Sequence, residues 1–221
     1  FTNTSGESSG FVTQTVAAHT HFSAFVSDPP FSLPLGTTGT INFTSSIPVA
    51  PAAFRTLTNE RSDFILSNTP IADLTQETVQ PVTIPHFADG DGWQTSIILV
   101  NTSEDTMHGE IRFFTPGSPS EPGQPLSIRL GDSDLAPVTE YEIPPRSFAR
   151  FNTFGTATIT NEETGETTNL PMQYGTIQVV PAGGTKTPQA HAVLTWTVAN
   201  IKVMQTPITA QLPRKDLRLY V

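Results

Sequence analysis

Two acidic side chains, Asp89 and Asp91, are spaced so that they could bind a metal ion. Asp89 and Asp91 flank Gly90 in a short segment that leads into Trp93. Two carboxylates and the neighbouring backbone carbonyls could contribute oxygen ligands to Ca²⁺, which takes about six or more of them. The spacing is not that of a helical calcium loop, and a tight glycine-rich turn explains the same residues. Asp89 and Asp91 are therefore a weak calcium candidate, and the sequence predicts no cofactor.

Two further pairs have the residue types of a catalytic or metal site. His19 and His21 alternate along the chain, so a strand would place both imidazoles on one face, with no third ligand nearby in sequence. Glu140 and Glu142 have the same spacing and could mimic the paired acids of a glycosidase, although a solvated strand face is the better interpretation. No G-x-S-x-G motif is present, and nothing beyond unplaced His and Asp residues supports an enzyme, so we predict none. A secreted hydrolase with an unrecognised site stays an alternative, since a Ser–His–Asp site needs no sequence proximity.

Four aromatic residues could form a platform for a sugar ring. They are Trp93, Tyr141, Tyr174 and Trp196. A tryptophan in the middle of a sandwich strand more often belongs to the core. An adhesin or carbohydrate-binding module is therefore an alternative function, with surface glycans as its partner.

Short β-strands must position all of these groups. The apolar segments are short, rich in β-branched and aromatic residues, and often alternate with polar residues, which is the pattern of half-buried strands. The 20 prolines leave few stretches where a long helix could run. The range 52–69 lacks Pro and Gly, and we predict a hairpin there around a polar turn at 59–63. The other predicted strands are 11–16, 40–44, 95–100, 110–114, 126–130, 156–160, 175–180 and 190–198.

Composition and charge exclude several classes of protein. The net charge of −9 argues against a nucleic-acid binder, which needs a basic face. The longest aliphatic run, 97–100, is far short of the ~20 residues that span a bilayer. The low fraction of charged residues and the absence of cysteine fit a secreted β-protein, so we predict an extracellular or cell-surface location. Residues 201–221 contain one acid and four bases, and this basic tail favours head-to-tail contact with an acidic body. A solvated end explains the tail equally well.

An internal repeat organises the chain. Residues 12–25 align without a gap with 138–151, and the alignment continues from Gly39 with Gly175, from Phe54 with Val193 and from Thr69 with Thr206. The segment 81–137 occurs once, and residues 216–221 fall where 80–84 fall one repeat earlier. We therefore predict an N-terminal β-sandwich at 1–80 that is the second half of a unit, a complete β-sandwich at 81–213, and a C-terminal strand at 214–221.

The N-terminal half-unit is expected to need completion, because a half-sandwich exposes edge strands and one apolar face. Upstream residues of a longer protein could supply the missing strands, a neighbouring chain could donate one, or 1–80 could close a smaller sandwich alone. Residues 217–221 are the natural strand to donate, which makes copies of this chain the predicted partner. The predicted subunit interface consists of Arg214, Lys215, Leu217, Arg218, Leu219, Tyr220 and Val221.

The segment from Ile84 to Asn101, which opens Ile-Pro-His-Phe-Ala-Asp-Gly-Asp-Gly-Trp, resembles a motif of the uncharacterised immunoglobulin-like repeats in large secreted proteins of environmental bacteria. The ranges 47–50, 55–61 and 63–73 resemble later motifs of that repeat. The resemblance implies an extracellular immunoglobulin-like sandwich without enzymatic activity. The second copy departs from it, because 199–200 has no charged counterpart of 59–61. The predicted fold is thus all-β with tandem immunoglobulin-like sandwiches, and the predicted function is a structural subunit of a filament or surface layer.

Overall fold

The computed structural model describes residues 1–75, 77–155, 158–160, 163–169 and 171–218. This part of the chain is all-β, as predicted, while the tandem immunoglobulin-like arrangement stays a prediction. The described residues hold no helix that is long and apolar enough to cross a membrane. The strands are β1 Thr2–Asn3, β2 Gly39–Thr40, β3 Ala53–Thr58, β4 Phe64–Thr69, β5 Val82–Asp89, β6 Trp93–Val100, β7 Met107–Phe114, β8 Val138–Ile143, β9 Phe148–Asn152, β10 Thr158–Thr160, β11 Thr167–Asn169, β12 Gln173–Pro181, β13 Gln189–Val198 and β14 Ile201–Thr209.

Two four-stranded antiparallel sheets form the body of the protein. One has the strand order β5-β12-β7-β8 and the other the order β14-β13-β6-β9. Both sheets contribute to one apolar core, because period-2 alternation turns every second side chain of each strand inward. Ile111 and Ile177 from the first sheet and Ile97 and Leu99 from the second are fully buried. The strands predicted at 95–100, 110–114, 175–180 and 190–198 are confirmed within β6, β7, β12 and β13.

Two predicted strands of this region differ from the structure. Residues 126–130 form only isolated bridges, from Ile128 to Ala136 and from Leu130 to Thr153. The segment crosses between β7 and β8 and meets each neighbouring strand at single positions, as where Leu126 bonds to Phe113 of β7. In the range 156–160, residues 156 and 157 lie outside the described part. The remainder is β10, which pairs with β11 in a separate hairpin.

Residues 1–80 contribute two small strand pairs, β1 with β2 and β3 with β4. The β3–β4 hairpin closes around residues 59–63, which confirms the predicted hairpin. The predicted strand at 11–16 does not form, and of 40–44 only Thr40 belongs to a strand. Among the described residues of 1–80, no apolar side chain is buried. A sandwich within this region therefore stays a prediction.

Strand pairing in the body explains which N-terminal elements form. There β8 pairs with β7, β9 with β6, and β12 with β5 and β7. The residues aligned with β8, β9 and β12 have no such neighbours, because β5, β6 and β7 lie in the segment that occurs once. By contrast, β13 and β14 pair with each other, and the residues aligned with them form the β3–β4 hairpin. The β3–β4 hairpin thus forms because the residues aligned with both β13 and β14 are present in 1–80.

The two aligned hairpins differ in register. Thr206 pairs with Leu194, which aligns with Arg55, whereas Thr69 pairs with Ala53. The shift from residue 55 to residue 53 is two positions, so each side chain keeps its face of the hairpin. The loop at 59–63 is longer than the turn between Val198 and Ile201, and it accommodates the shift.

Candidate functional site

The acidic turn after β5 is stabilised by its own hydrogen bonds. Gly90 and Trp93 exchange backbone hydrogen bonds of 3.0 and 2.9 Å, and Asp91 occupies the left-handed region with φ 51°. A carboxylate oxygen of Asp89 accepts a hydrogen bond of 2.7 Å from the Gly155 N–H. Asp89 thus links the β5–β6 turn to the loop after β9. The described residues contain no group of three or more His, Asp or Glu side chains placed to hold a metal, so Asp89 and Asp91 gain no further ligand of that kind.

His19 and His21 are exposed and belong to no strand, so the strand face expected to align their imidazoles does not form. His86 packs near Tyr174 with ring centroids 6.5 Å apart, and His108 lies 3.8 Å from Glu142. His191 is buried on the outer face of β13, and this burial lowers its pKa to about 4. His191 is therefore neutral at physiological pH.

The four aromatic residues predicted as a possible sugar platform do not lie together. Tyr141 is buried, and burial raises its pKa, while Tyr174 is exposed beside His86. Trp93 and Trp196 do meet, stacked with centroids 5.7 Å apart at one end of the second sheet. A shallow cleft of about 420 Å³ lies next to this stack, where Gly92 approaches Trp196.

Three of the sheet edges differ in how their backbone groups are satisfied. On β5, Thr83 exchanges backbone hydrogen bonds of 2.9 and 2.8 Å with Gln211. Further along, the Thr95 hydroxyl accepts from the Ala88 N–H at 3.1 Å and donates to the Ala88 C=O at 2.8 Å. Pro85 between them has no N–H to expose. The edge of β5 is thus closed.

The edge of β14 is covered at one end by the polar turn of the β3–β4 hairpin. The buried Asn59 side chain donates to the Lys202 C=O at 2.9 Å, and the Glu60 carboxylate accepts from the Lys202 N–H at 3.0 Å. Asn59 also accepts from the backbone N–H groups of Arg61 and Asp63. Hydrogen bonds from its own backbone and from Lys202 hold the pKa of Glu60 below its usual value, and those from Asn59 and Arg61 do the same for Asp63.

The edge formed by β8 is open. This strand pairs with β7 on one side, and no described strand pairs with its other side. Glu140 and Glu142 lie on its exposed outer face, while Tyr141 and Ile143 point into the core. The two glutamates are thus a solvated strand face, and their charge is the kind that discourages unselective edge pairing.

An unusually large apolar surface covers the N-terminal region, and we call it the N-terminal apolar surface. Its members are exposed side chains between residues 11 and 49, none of which belongs to a strand. They are Phe11, Val12, Val16, Phe22, Phe25, Val26, Leu35, Ile41, Phe43, Ile47 and Val49. The outward face of the β3–β4 hairpin adds Phe54, Phe64 and Leu66. Exposed apolar side chains in such number mark an interaction site more often than a free surface.

The predicted C-terminal interface is described in part. Arg214, Lys215, Leu217 and Arg218 lie after β14, and Leu217 is 75% exposed. Leu219, Tyr220 and Val221 lie outside the described residues. Arg214 and Leu217 line a groove of about 420 Å³ together with Glu77 and Val82.

Sequence reasoning missed two polar residues that hold these surfaces in place. The sequence marks Asn59 only as part of a turn, and its bond to Lys202 joins elements whose proximity no local pattern encodes. The sequence places Thr95 in a strand, but a buried hydroxyl that bridges Ala88 has no sequence signature.

A search of protein families, curated proteins and solved structures finds no match to this chain.

Proposed function

We propose that this chain is a non-enzymatic extracellular structural protein whose copies join head to tail into a filament or surface layer by β-strand complementation. The observation that carries the proposal is the N-terminal apolar surface. Its residues have the alternation of sandwich strands, yet they lie exposed with no strand beside them. A strand from a second copy would satisfy both their backbone groups and their side chains.

The contrast between aligned residues supports this reading. Ile177 and Val179 on β12 are fully buried, whereas the residues aligned with them, Ile41 and Phe43, are 38% and 52% exposed. Full burial of one such side chain contributes about 1.5–3 kcal/mol. Completing the N-terminal half-unit is therefore favourable for several residues at once, and this gain is what an assembly contact needs to offset the entropy of association.

Local geometry also agrees with two copies of one unit. The Thr20 N–H bonds to the Ala17 C=O with His19 in the left-handed region, and the Ser147 N–H bonds to the Pro144 C=O with Arg146 in that region. The two turns lie within one residue of their aligned positions. The N-terminal copy thus has the turn of the complete unit without its sheet.

Light scattering on a concentration series of the purified chain, followed by electron microscopy, tests the proposal. We expect mass to grow with concentration and linear or layered assemblies to form. Phe43→Asp should shift the chain toward monomer, because a charge on that face opposes burial. Leu135→Asp, which alters a side chain 61% exposed in a distant loop, is the matched control and should assemble normally. A chain that stays monomeric at every concentration contradicts the proposal.

A second candidate function, glycan binding, is favoured by the stacked Trp93–Trp196 pair. Trp196 is 38% exposed and lies beside the cleft that Gln94, Phe154 and Asn200 help to line. Aromatic faces with nearby amide groups suit sugar rings, because one side is apolar and the other can hydrogen-bond. A glycan array tests it: hits that disappear in Trp196→Ala support this function, and an array without hits opposes it.

A further inference from the structure

We propose that residues 219–221 of one copy pair antiparallel with residues 41–43 of the next copy, in the place that β5 occupies beside β12. This inference rests on the proposed head-to-tail assembly and names its donor and its acceptor. The donor lies outside the described residues, so the argument starts from the acceptor and from the β5–β12 pair of the body.

The β5–β12 pair gives the register. There Ile84 pairs with Ile177, Thr83 with Gln178 and Val82 with Val179. The repeat places Ile41, Asn42 and Phe43 where Ile177, Gln178 and Val179 lie. It also brings 216–221 to the place of 80–84, and setting Val221 opposite Ile84 puts Tyr220 at Thr83 and Leu219 at Val82.

This register matches the chemistry of the two segments. Val221 would face Ile41 and Leu219 would face Phe43, so four apolar side chains share the inward side of the pair. Their counterparts Ile84, Ile177 and Val179 are fully buried and Val82 nearly so, at 8% exposed. Tyr220 and Asn42 would take the outward side, as Thr83 and Gln178 do. A one-residue slip of the donor would turn Leu219 and Val221 outward and leave Ile41 and Phe43 without apolar partners, so the register is strongly specified.

Backbone groups at the acceptor are free for such a pair. Within the described residues, Gly39 and Thr40 pair with Asn3 and Thr2, and residues 41–43 pair with no strand. In the body, the same positions of β12 lie in register with β5. The acceptor is thus the β12 position of the unit without its β5.

Charge favours the approach of the donor. Residues 201–221 carry a net charge of +3, from four bases and one acid, in a chain whose net charge is −9. The remaining 200 residues therefore carry −12. Attraction between the tail and another body speeds encounter and weakens as salt screens it. The charge does not set the register of the pair. The register comes from the apolar pattern alone.

The absence of cysteine from the chain makes a disulfide test direct. The backbone groups of Thr83 bond to Gln211, away from β12, so Thr83 and Gln178 form a non-hydrogen-bonded pair. Such pairs have Cα atoms about 4.5 Å apart, which a disulfide can bridge. The variant Asn42→Cys with Tyr220→Cys should therefore oxidise into a ladder of covalent oligomers on a non-reducing gel. Each single-cysteine variant should stop at dimer.

The matched control moves the acceptor cysteine to the open edge of β8. Glu140→Cys with Tyr220→Cys should give no ladder, although that edge is exposed and acidic. If the control gives the ladder and the Asn42 variant does not, the acceptor is β8 and this inference is wrong while head-to-tail assembly stands. A covalent link within one chain also overturns it. If light scattering shows that the wild-type chain does not assemble, the proposed function fails first.

Discussion

Thr95 is the residue whose replacement should most clearly expose how the body is held together. It is fully buried on β6, and its hydroxyl satisfies both backbone groups of Ala88 on the edge of β5. Ala88 lies opposite Tyr174 of β12, and both of its backbone groups bond to Thr95 and so point away from that strand. The hydroxyl therefore bonds an edge of the first sheet to a strand of the second.

Thr95→Val keeps the shape of the side chain and removes the hydroxyl. It leaves one buried N–H and one buried C=O without a partner, and each such group costs about 1–3 kcal/mol. The free energy of unfolding should fall by about 2–6 kcal/mol, a large share of the ~5–15 kcal/mol typical of a domain. The β-branched backbone preference is unchanged, because valine is also a strand former.

Urea denaturation followed by the fluorescence of Trp93 and Trp196 measures this loss, because both indoles belong to the second sheet. Thr153→Val is a graded comparison: its hydroxyl accepts only from the Thr95 N–H, at 3.0 Å, so we expect a loss of about 1–3 kcal/mol. Thr209→Val, at an exposed position, should change stability by less than about 0.5 kcal/mol. A Thr95→Val protein as stable as the wild type would refute the bridging role.

Two further predictions concern the hairpin and the buried imidazole. Asn59→Ala removes one of the two hydrogen bonds between the β3–β4 hairpin and Lys202 and should raise hydrogen exchange across 53–69, whereas Arg61→Ala, at an exposed ion pair, should leave exchange unchanged. For His191, the pKa of about 4 in the folded state lies below the usual 6.5, so the folded state binds fewer protons and stability falls as pH drops from 6.5 toward 4. Between pH 7 and pH 5 the wild type should lose roughly 2 kcal/mol more than His191→Asn, and equal losses in urea titrations would contradict this.

Local pattern was enough to predict most of the body. The alternation in β6 and β12 and the long apolar strand β13 are visible in the sequence, because each strand buries one face and turns the other outward. The β3–β4 hairpin was also predictable, since its polar turn and both strands are adjacent along the chain. These elements require no knowledge of distant residues.

The pattern failed where pairing depends on a strand that is far away or missing. Residues 11–16 have the composition of a strand but lie exposed, because a strand forms only beside a partner. The hydrogen bonds of Thr95 to Ala88 and of Asn59 to Lys202 are equally unpredictable from local sequence. They depend on which elements become neighbours after folding, and neither residue type signals its partner.

The closed edge of β5 has a mechanical consequence. Gln211 is hydrogen-bonded to Thr83 through both backbone groups, only a few residues before Arg214. A pull on residues 214–218 would therefore meet its first backbone hydrogen bonds to β5 at this pair. Under such loading the backbone hydrogen bonds between β5 and β12 and the bonds of Ala88 to the Thr95 hydroxyl would resist the force together. A chain of copies joined through that tail would carry tension in shear along its strands.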